Sequence, residues 1–209
     1  RSAMVHPDRV EITADGRPRV RVDGREFVLG ALGEHQAGNA MFAWAVAREL
    51  GIDPAVAAAA LEHLEIPGGR GELIRQGKLT VLHDAYNANP ESFEALINLV
   101  RELRHGRRLV FVAGTMRELG DASPALHARV AAGLATLNPD VVGLIGDFVP
   151  AFAPYREGYE GLILGAPDSD SLAPRLAAEL RGDELVVLKG SRGTALERIL
   201  PAILPRAQT

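Results

Sequence analysis

Residues 79–90 read Leu-Thr-Val-Leu-His-Asp-Ala-Tyr-Asn-Ala-Asn-Pro. The first four residues are largely apolar and predict a strand. Asn89 and Pro90 predict a helix start, because Asn caps helices and Pro suits the first helical position. The polar side chains between them therefore lie where the carboxyl end of a strand meets the amino terminus of a helix. In open α/β sheets, this is where ligands bind, so the candidate ligand-binding residues here are Asp84, Tyr86, Asn87 and Asn89.

Short apolar runs alternate with helical segments on both sides of this stretch. Runs without a period of two are typical of strands that are covered on both faces, and they occur at residues 79–82, 109–113, 141–145, 162–164 and 185–189. Helices are predicted at residues 93–103, 124–136, 171–180 and 193–200. This order predicts an α/β fold with a mostly parallel, doubly wound, Rossmann-like sheet.

The amino-terminal third of the chain has a different pattern. Alternating apolar residues around two Asp-Gly turn signals predict short strands with turns over residues 5–29. An Ala-rich helix is predicted to end at Leu50, and Asp53 with Pro54 is predicted to begin a second helix. Residues 67–71, Pro-Gly-Gly-Arg-Gly, break this periodicity, so we expect a domain boundary there.

The composition excludes several classes of function. The chain has 209 residues, of which 47% are hydrophobic and 24% charged, as is ordinary for a globular protein. Its net charge of −4 gives no general electrostatic reason to bind nucleic acid or an anionic membrane. No apolar run reaches the roughly 20 residues that span a bilayer. Because the chain begins at Arg1 and its first methionine is Met4, we expect that an upstream segment is missing.

Four polar clusters interrupt the pattern, and three of them directly follow predicted strands. These three are residues 84–89, 114–120 and 189–193, while the fourth is His35 with Asn39 at the start of the first long helix. The carboxyl ends of parallel strands share one edge of a sheet, so the first three clusters are expected to converge on one crevice. Lys189 and Arg192 would supply positive charge there, and a helix amino terminus would favour a phosphate or carboxylate. Taken alone, the same two charges are also compatible with solvated loop residues.

Other chemical signals are absent or point to structural roles. No complete phosphate loop of the G-x-x-x-x-G-K-[ST] type occurs. Cysteine is absent, and the histidines and acidic residues show no metal-ligand spacing, so no dedicated metal site is expected. His127 is predicted to be structural, on a helix surface or between a helix and the sheet, and surface positions are predicted for His6, His63 and His105.

These clusters resemble the motifs of the Mur ligases, and they occur in the same order. The matching motifs are Asp84-Ala85-Tyr86-Asn87-Ala88-Asn89-Pro90, Gly114-x-Met116-x-Glu118-Leu119-Gly120 with His127 seven residues later, and Leu188-Lys189-Gly190-Ser191-Arg192-Gly193. Gly33-x-His35 with Asn39-Ala40 is similar to a further family segment, and Pro67-Gly68-Gly69-Arg70 is similar to the family's interdomain hinge. The resemblance covers nearly the whole chain.

The resemblance implies a three-domain enzyme of which this chain holds the last two parts incompletely. Residues 1–69 would be the end of the central ATP-binding domain, a remnant with short strands and two helices. Residues 70–209 would be the C-terminal Rossmann-like ligase domain. The UDP-sugar-binding domain, the phosphate loop and the magnesium ligands would lie outside the chain, and the fragment alone would be inactive.

The resemblance also implies ATP-dependent amide formation in peptidoglycan precursor synthesis. The carboxylate of UDP-N-acetylmuramoyl-tripeptide would attack the γ-phosphate of ATP, and the amine of D-alanyl-D-alanine would displace phosphate from the resulting acyl phosphate. Such catalysis depends on positioning and on offsetting charge at the transferring phosphoryl group. The implied cofactors are ATP and magnesium. A cytoplasmic, monomeric enzyme with no nucleic acid or membrane partner is expected.

Site residues follow from the matched motifs. By resemblance, His35, Asn39 and Arg70 would contact the nucleotide, with the fixed donor fork of Arg70 at its phosphates. Asp84 would accept hydrogen bonds from the ribose hydroxyls, and the same loop would be completed by Tyr86, Asn87 and Asn89. The catalytic candidates would hold the carboxylate of the incoming dipeptide or the charge of the intermediate, and they are Lys189, Ser191 and Arg192.

The chain departs from the family pattern at three positions. Glu34 and Gln36 stand where the family usually has Arg and Asn, and Thr115 stands where it often has Asp. Two alternatives stay open beside this interpretation. One is a sister ligase of the folylpolyglutamate type. The other is a non-catalytic nucleotide-binding module on the same scaffold, since fold does not fix function.

Overall fold

The computed structural model describes residues 5–64, 66 and 68–204. The chain divides into two compact units, Arg1–Ile66 and Pro67–Thr209. Arg1 and Met4, from which a missing upstream segment was expected, lie outside the described residues, as does Pro67 of the expected boundary run. No helix in the described part of the chain is long and apolar enough to cross a membrane.

The first unit is a three-stranded antiparallel sheet with two helices. The strands, in sheet order, are β1 (Arg9–Ile12), β2 (Pro18–Val22) and β3 (Arg25–Val28), and the helices are α1 (His35–Glu49) and α2 (Pro54–Glu62). Asp23 and Gly24 have φ values of +48° and +73°, which the tight turn between β2 and β3 requires. Trp44 of α1 stacks on Phe27 at 5.5 Å and donates its indole N–H to Asp23 at 2.9 Å. The aromatic pair therefore fixes α1 to the sheet.

The second unit contains a six-stranded sheet in the order β4-β5-β9-β6-β7-β8. The strands are β4 (Glu72–Gln76), β5 (Leu79–Asp84), β6 (Leu109–Ala113), β7 (Val141–Ile145), β8 (Leu162–Ala166) and β9 (Leu185–Lys189). The helices are α3 (Pro90–Leu103), α4 (Ser123–Leu137), α5 (Phe148–Ala151), α6 (Ser169–Ala177) and α7 (Leu200–Ile203). Only the β4–β5 pair within this described sheet is antiparallel. The predicted mostly parallel α/β sheet is therefore confirmed.

Two details differ from the sequence-based prediction. β4 was not predicted, although Gly77-Lys78 between its apolar residues and β5 is a hairpin signal. The single helix predicted at residues 193–200 was wrong. That segment forms 3₁₀ turns at Arg192–Thr194 and Leu196–Ile199, because Ala195 between them has a left-handed φ of +50° that interrupts a helix.

Helices cover both faces of the central sheet. On one face, Phe93 of α3 packs on Phe111 of β6, with ring centroids 6.4 Å apart, and α4 packs against α3. On the other face, Leu172 of α6 belongs to one buried cluster with Val186 of β9 and Ile203 of α7. The chain therefore leaves β5 and β6 toward one face and leaves β9 toward the other. Neighbouring strands whose connections diverge in this way open a crevice at their carboxyl ends.

Candidate functional site

The polar clusters that follow β5, β6 and β9 meet at one edge of the sheet. Because β9 lies between the other two strands, Lys189 is the register partner of Asp84 on one side and of Ala113 on the other. The Gly114 amide continues this pairing by donating to the Lys189 carbonyl at 2.8 Å. Residues 84–89, 114–120 and 189–193 therefore converge, as expected from the order of strands and polar clusters.

Lys189 is the most buried charge at this edge, with 2% of its side chain exposed. Its ammonium donates to Asp84 Oδ2 at 2.8 Å and to the Asn87 carbonyl at 2.7 Å, and it lies 5.9 Å from the centroid of the Phe93 ring. A buried ammonium is costly unless it is paired and hydrogen-bonded. Both contacts meet that need within the protein. They join the end of β9 to the start of the loop after β5.

The loop after β5 enters α3 through an Asn cap. Asn89 Oδ1 accepts from the Ser92 amide at 2.8 Å, and Ser92 Oγ accepts from the Asn89 amide at 3.0 Å, which is a reciprocal capping box. Asn87 Oδ1 accepts from the Ala88 amide at 2.9 Å. Both asparagines are exposed, but their carbonyl oxygens are used to shape the loop.

Two arginines lie against the exposed ring of Tyr86. The guanidinium carbon of Arg70 is 3.8 Å from the ring centroid and that of Arg192 is 5.5 Å away. Main-chain bonds tie the three segments together, since the Tyr86 amide donates to the Gly69 carbonyl at 2.8 Å and the Arg192 amide to the Tyr86 carbonyl at 3.2 Å. We call Arg70, Tyr86 and Arg192 the arginine–tyrosine cluster.

The charge of this cluster alters the titration of its tyrosine. A hydrogen bond from Arg70 and its positive charge, and then the same two effects of Arg192, hold the pKa of the Tyr86 phenol below its usual value. Two guanidiniums stacked on one ring concentrate positive charge where planar donor forks can meet phosphate or carboxylate oxygens. The cluster is therefore suited to binding an anion.

β4 and β5 together hold the segment that carries Arg70. Glu72 and His83 are register partners, and the carboxylate of Glu72 accepts from the Gly69 amide at 3.2 Å and lies 3.4 Å from His83 Nδ1. Sequence reasoning missed Glu72 and His83. The hairpin signal at Gly77-Lys78 would have paired them in register.

A cavity of about 860 Å³ opens at the same edge of the sheet, on the side of β7 and β8. It is lined by residues 115–120, with Ser123, after β6, by residues 145–147 at the end of β7, by residues 167–168 after β8 and by residues 193–194 after β9. Four of the five parallel strands therefore contribute to one concave surface. Ligand sites of α/β sheets lie in such positions.

Ser191 connects the cavity to the Lys189 side of the edge. Its hydroxyl accepts from the Arg117 amide at 2.9 Å, and its own amide donates to the Thr115 carbonyl at 3.2 Å. Thr194 Oγ1 in turn donates to the Ser191 carbonyl at 2.7 Å. A Cβ at either Gly114 or Gly190 would come within 2.8 Å of Thr194 Oγ1, so only glycine allows this close approach of the two loops.

Charged groups of both signs surround the cavity. The carboxylates are those of Glu118, Asp147 and Asp168, and the guanidinium is that of Arg117, which donates to the Gly193 carbonyl at 3.3 Å. Asp168 caps α6 by accepting from the Ser171 amide at 2.8 Å, and this main-chain hydrogen bond lowers the pKa of its carboxyl group. Asp147 and Asp168 were missed by sequence reasoning, although each lies two residues after a strand that ends at this edge.

His35 and Asn39 lie on the first two turns of α1 in the first unit, and both are exposed. The side-chain Nδ2 of Asn39 donates to Gln36 Oε1 at 3.0 Å. Gln36, which departs from the family pattern, therefore contacts a residue that is predicted to bind the nucleotide. The other predicted site residues all belong to the second unit. The roles predicted for these residues, and those predicted for His35 and Asn39, stay predictions.

His127 is fully buried where α4 meets the loop after β6, so the first of its two predicted positions, a helix surface, was wrong. No group of three or more histidine, aspartate or glutamate side chains within residues 5–64, 66 and 68–204 could hold a metal ion.

Known proteins similar to this chain identify the family to which it belongs. The family model described as "Mur ligase, glutamate ligase domain" matches residues 69–192. The chain therefore belongs to the Mur ligases, as its motifs suggested. The UDP-N-acetylmuramoyl-tripeptide–D-alanyl-D-alanine ligase of Bacillus subtilis is 31% identical to it over 185 residues, which cover 85% of the chain and 40% of that relative. The chain thus spans about 40% of the length of this curated relative.

Solved structures share the fold. MurF from Acinetobacter baumannii has a TM-score of 0.84 at 24% identity, over 97% of this chain and 46% of the other. MurF ligase from Thermotoga maritima, in complex with ADP, has a TM-score of 0.71 at 24% identity, over 95% of this chain and 45% of the other. These likenesses support the arrangement of strands and helices described above.

Proposed function

We propose that this chain is the nucleotide- and acceptor-binding part of an ATP-dependent ligase of peptidoglycan precursor synthesis, which joins D-alanyl-D-alanine to UDP-N-acetylmuramoyl-tripeptide. The observation that carries the proposal is the Lys189–Asp84 pair at the middle of the sheet edge, with the arginine–tyrosine cluster beside it and the cavity beyond β6. A ligase must bring an activated carboxylate and an amine together, and two adjoining binding surfaces serve that need.

The arginine–tyrosine cluster is the proposed nucleotide side. Arg70 and Arg192 would bind phosphate oxygens with their donor forks. Asp84 would accept hydrogen bonds from the ribose with the oxygen that Lys189 leaves available, and Asn87 and Asn89 would complete the loop. A Mur ligase of Thermotoga maritima was solved with ADP, which supports a nucleotide as the ligand of this fold.

The cavity is the proposed acceptor side. D-alanyl-D-alanine carries an ammonium and a carboxylate, and the cavity has groups for both. The carboxylates of Glu118, Asp147 and Asp168 would hold the ammonium, and Arg117 would meet the carboxylate. The mixed charge of the cavity therefore matches a small zwitterion better than it matches a phosphate.

The reaction would proceed in two steps, phosphoryl transfer and then amide formation. An oxygen of the tripeptide carboxylate bonds to the γ-phosphorus while the bond from that phosphorus to the ADP oxygen breaks. The amine of the dipeptide then bonds to the acyl carbon, loses a proton, and inorganic phosphate leaves. Arg70 and Arg192 would offset the negative charge of the phosphoryl group and of the tetrahedral intermediate, and a cavity carboxylate such as Asp147 would accept the proton.

Lys189 and Ser191 would act through their neighbours. Both side chains are buried and already bonded within the protein, to Asp84 and to the Arg117 amide respectively. We therefore assign them to positioning the nucleotide loop and the cavity loop, in place of the direct contact with the dipeptide that the motif suggested. Arg192 stays a candidate for contact with the reacting groups.

Magnesium would be carried by the phosphates of the nucleotide, which leave few positions for protein ligands, and by residues that this chain does not contain. Because the substrates would be ATP and a sugar nucleotide, the enzyme would act in the cytoplasm. It would be a monomer, and it would serve the wall synthesis that maintains cell shape and division.

The proposal predicts that Arg70→Ala weakens binding of ADP to this chain at least about tenfold. A hydrogen bond to a charged group is worth roughly 1.5–3 kcal/mol, and about 1.4 kcal/mol corresponds to a factor of ten. Isothermal titration calorimetry with ADP measures the change. Arg75→Ala is the matched control, because Arg75 is an exposed arginine on β4 outside the cluster.

The activity itself is tested on the polypeptide that contains this chain together with a phosphate-loop domain. Release of phosphate from ATP should require both UDP-N-acetylmuramoyl-tripeptide and D-alanyl-D-alanine. Turnover with glutamate in place of the dipeptide would favour the folylpolyglutamate type of ligase. ADP binding without any acceptor-dependent turnover would favour the non-catalytic module.

A further inference from the structure

His127 is a member of the motif after β6 that the proposed reaction leaves without a role. Its imidazole is fully buried between α4 and the loop of residues 115–120. Nε2 is 2.9 Å from the Met116 amide nitrogen, and Nδ1 is 2.8 Å from the Ser123 carbonyl oxygen. The ring also packs edge-on against Phe148, with centroids 4.8 Å apart. The imidazole thus bridges the helix and the loop.

The partners of His127 determine its tautomer. A main-chain amide such as that of Met116 can only donate, so Nε2 must be the acceptor and carry no proton. A carbonyl can only accept, so Nδ1 must carry the proton that is donated to Ser123. The assignment follows from the identity of the bonded groups. These two bonds together assign the tautomer with its proton on Nδ1.

The loop that His127 contacts has a backbone that needs support. Glu118 and Gly120 both have left-handed φ values, +66° and +54°, which are unfavourable for the non-glycine residue. The preceding residues are bonded on both sides, because Thr115 and Arg117 contact Ser191 while Met116 contacts His127. Ser191 and His127 thus hold opposite sides of one short backbone segment.

We propose that His127 is a positioning residue for the acceptor, which fixes the Thr115–Met116–Arg117 backbone at the wall of the cavity through its unprotonated Nε2. The proposal rests on the proposed function, since it takes the cavity to be the site of D-alanyl-D-alanine. Residues 115–120 form one continuous side of that cavity. A loop released at Met116 would therefore change the binding of the dipeptide more than that of the nucleotide.

Two substitutions separate this role from simple packing. In His127→Asn, the side-chain amide lies near the position of Nδ1, so it keeps the bond to Ser123 but cannot reach Met116. In His127→Gln, the amide oxygen lies near the position of Nε2, so it keeps an acceptor for the Met116 amide. Both variants lose the ring that packs on Phe148. A purely structural histidine would be harmed similarly by both changes.

Steady-state kinetics of the polypeptide that contains the phosphate-loop domain test the proposal. We expect His127→Asn to raise the KM for D-alanyl-D-alanine about tenfold, the effect of leaving one buried donor unpaired, while the KM for ATP is unchanged. His127→Gln should stay within about threefold of the parent for both substrates. An equal rise in the dipeptide KM for both variants would overturn the positioning role.

Measurements without turnover keep the test independent of the proposed activity. Hydrogen exchange of the Met116 amide should be slow in the parent and in His127→Gln, and at least about tenfold faster in His127→Asn. Imidazole nitrogen chemical shifts of the parent chain should show the proton on Nδ1, and a proton on Nε2 would contradict the proposal even if a variant failed to fold. Absence of dipeptide-dependent turnover in the parent would instead count against the proposed function.

Discussion

Two buried charges stand at opposite ends of β9, and they are bonded in different ways. Glu184 precedes the strand, and its carboxylate accepts from the amides of Arg181, Gly182 and Asp183 at 2.6, 2.8 and 3.0 Å and from the Arg108 guanidinium at 3.1 Å. Lys189 ends the strand and donates to Asp84 and to the Asn87 carbonyl, which are 105 and 102 residues away in the chain.

Glu184 has partners close in sequence and Lys189 has distant ones, so the two buried charges stabilise different parts of the structure. Glu184 is satisfied mainly by the three residues before it, so it stabilises the turn that leads into β9. Lys189 is satisfied by a loop that belongs to another motif, so it sets the position of that loop relative to the sheet. We infer that one charge serves the fold and the other serves the site.

The largest expected effect is that of Glu184→Ala on stability. Removing this carboxylate leaves three main-chain donors without their acceptor and Arg108 without its ion-pair partner, which should lower the free energy of unfolding by about 3–5 kcal/mol. Denaturant unfolding measures the loss. Asp183→Ala is the matched control, because Asp183 is exposed. ADP affinity of folded Glu184→Ala should equal that of the parent, and a reduced affinity would contradict the assignment of Glu184 to the fold alone.

The same residue predicts a dependence on pH. Burial would raise the pKa of the Glu184 carboxyl, but the main-chain donors and Arg108 outweigh it, so the pKa lies below its usual value. A folded-state pKa below the unfolded one stabilises the protein above the unfolded pKa, and this contribution is lost as pH falls through the folded-state pKa. The stability difference between the parent and Glu184→Gln should therefore shrink below about pH 4, where unfolding curves can be compared.

Compared with Glu184→Ala, Lys189→Met should lose less stability but more ADP affinity. About 2 kcal/mol of stability should be lost, less than for Glu184→Ala, because Asp84 has 23% of its side chain exposed and water can replace the ammonium. The loop after β5 would lose its anchor, so ADP affinity should fall about tenfold or more. Calorimetry with ADP checks this, and affinity equal to that of the parent would remove Lys189 from the site.

The comparison also shows what the sequence could and could not predict. The five parallel strands were predictable because each is a continuous apolar run, and their carboxyl ends carry polar residues that had to converge. The sequence marked Lys189 as a charge at this edge but could not show that β9 lies between β5 and β6. Only that strand order makes Asp84 its register partner and turns an apparently available cation into a buried pair.

The features that the sequence did not predict also depend on contacts that form only in the folded chain. β4 is a short edge strand whose alternation is weak, and the left-handed Ala195 that divides the segment after β9 leaves no mark in the sequence. Ser191 stays a catalytic candidate by resemblance, and the sequence could not show that its hydroxyl accepts a main-chain hydrogen bond from a residue 74 positions away. Pairings across such distances depend on the assembled sheet.

The smallest expected effect concerns two tyrosines at opposite edges of the sheet. Tyr159 donates to the Pro139 carbonyl at 2.7 Å near the amino-terminal ends of the strands, where burial, and then the charge of Asp140, raises the pKa of its phenol. Tyr86 at the carboxyl edge has its pKa lowered by Arg70 and then by Arg192. Ultraviolet titration should therefore show Tyr86 ionising well before Tyr159, and Tyr86→Phe should remove that early phase.

The arginines should act on Tyr86 in the order of their distances. Arg70→Ala should raise the Tyr86 pKa more than Arg192→Ala, because Arg70 is 3.8 Å from the ring centroid and Arg192 is 5.5 Å away, while Arg75→Ala should leave it unchanged. ADP bound at the cluster adds negative charge, so it should raise the Tyr86 pKa in the parent and have little effect in Arg70→Ala. A titration that ADP does not shift would mean that the nucleotide binds elsewhere, and that Lys189 and Asp84 organise a loop with a different ligand.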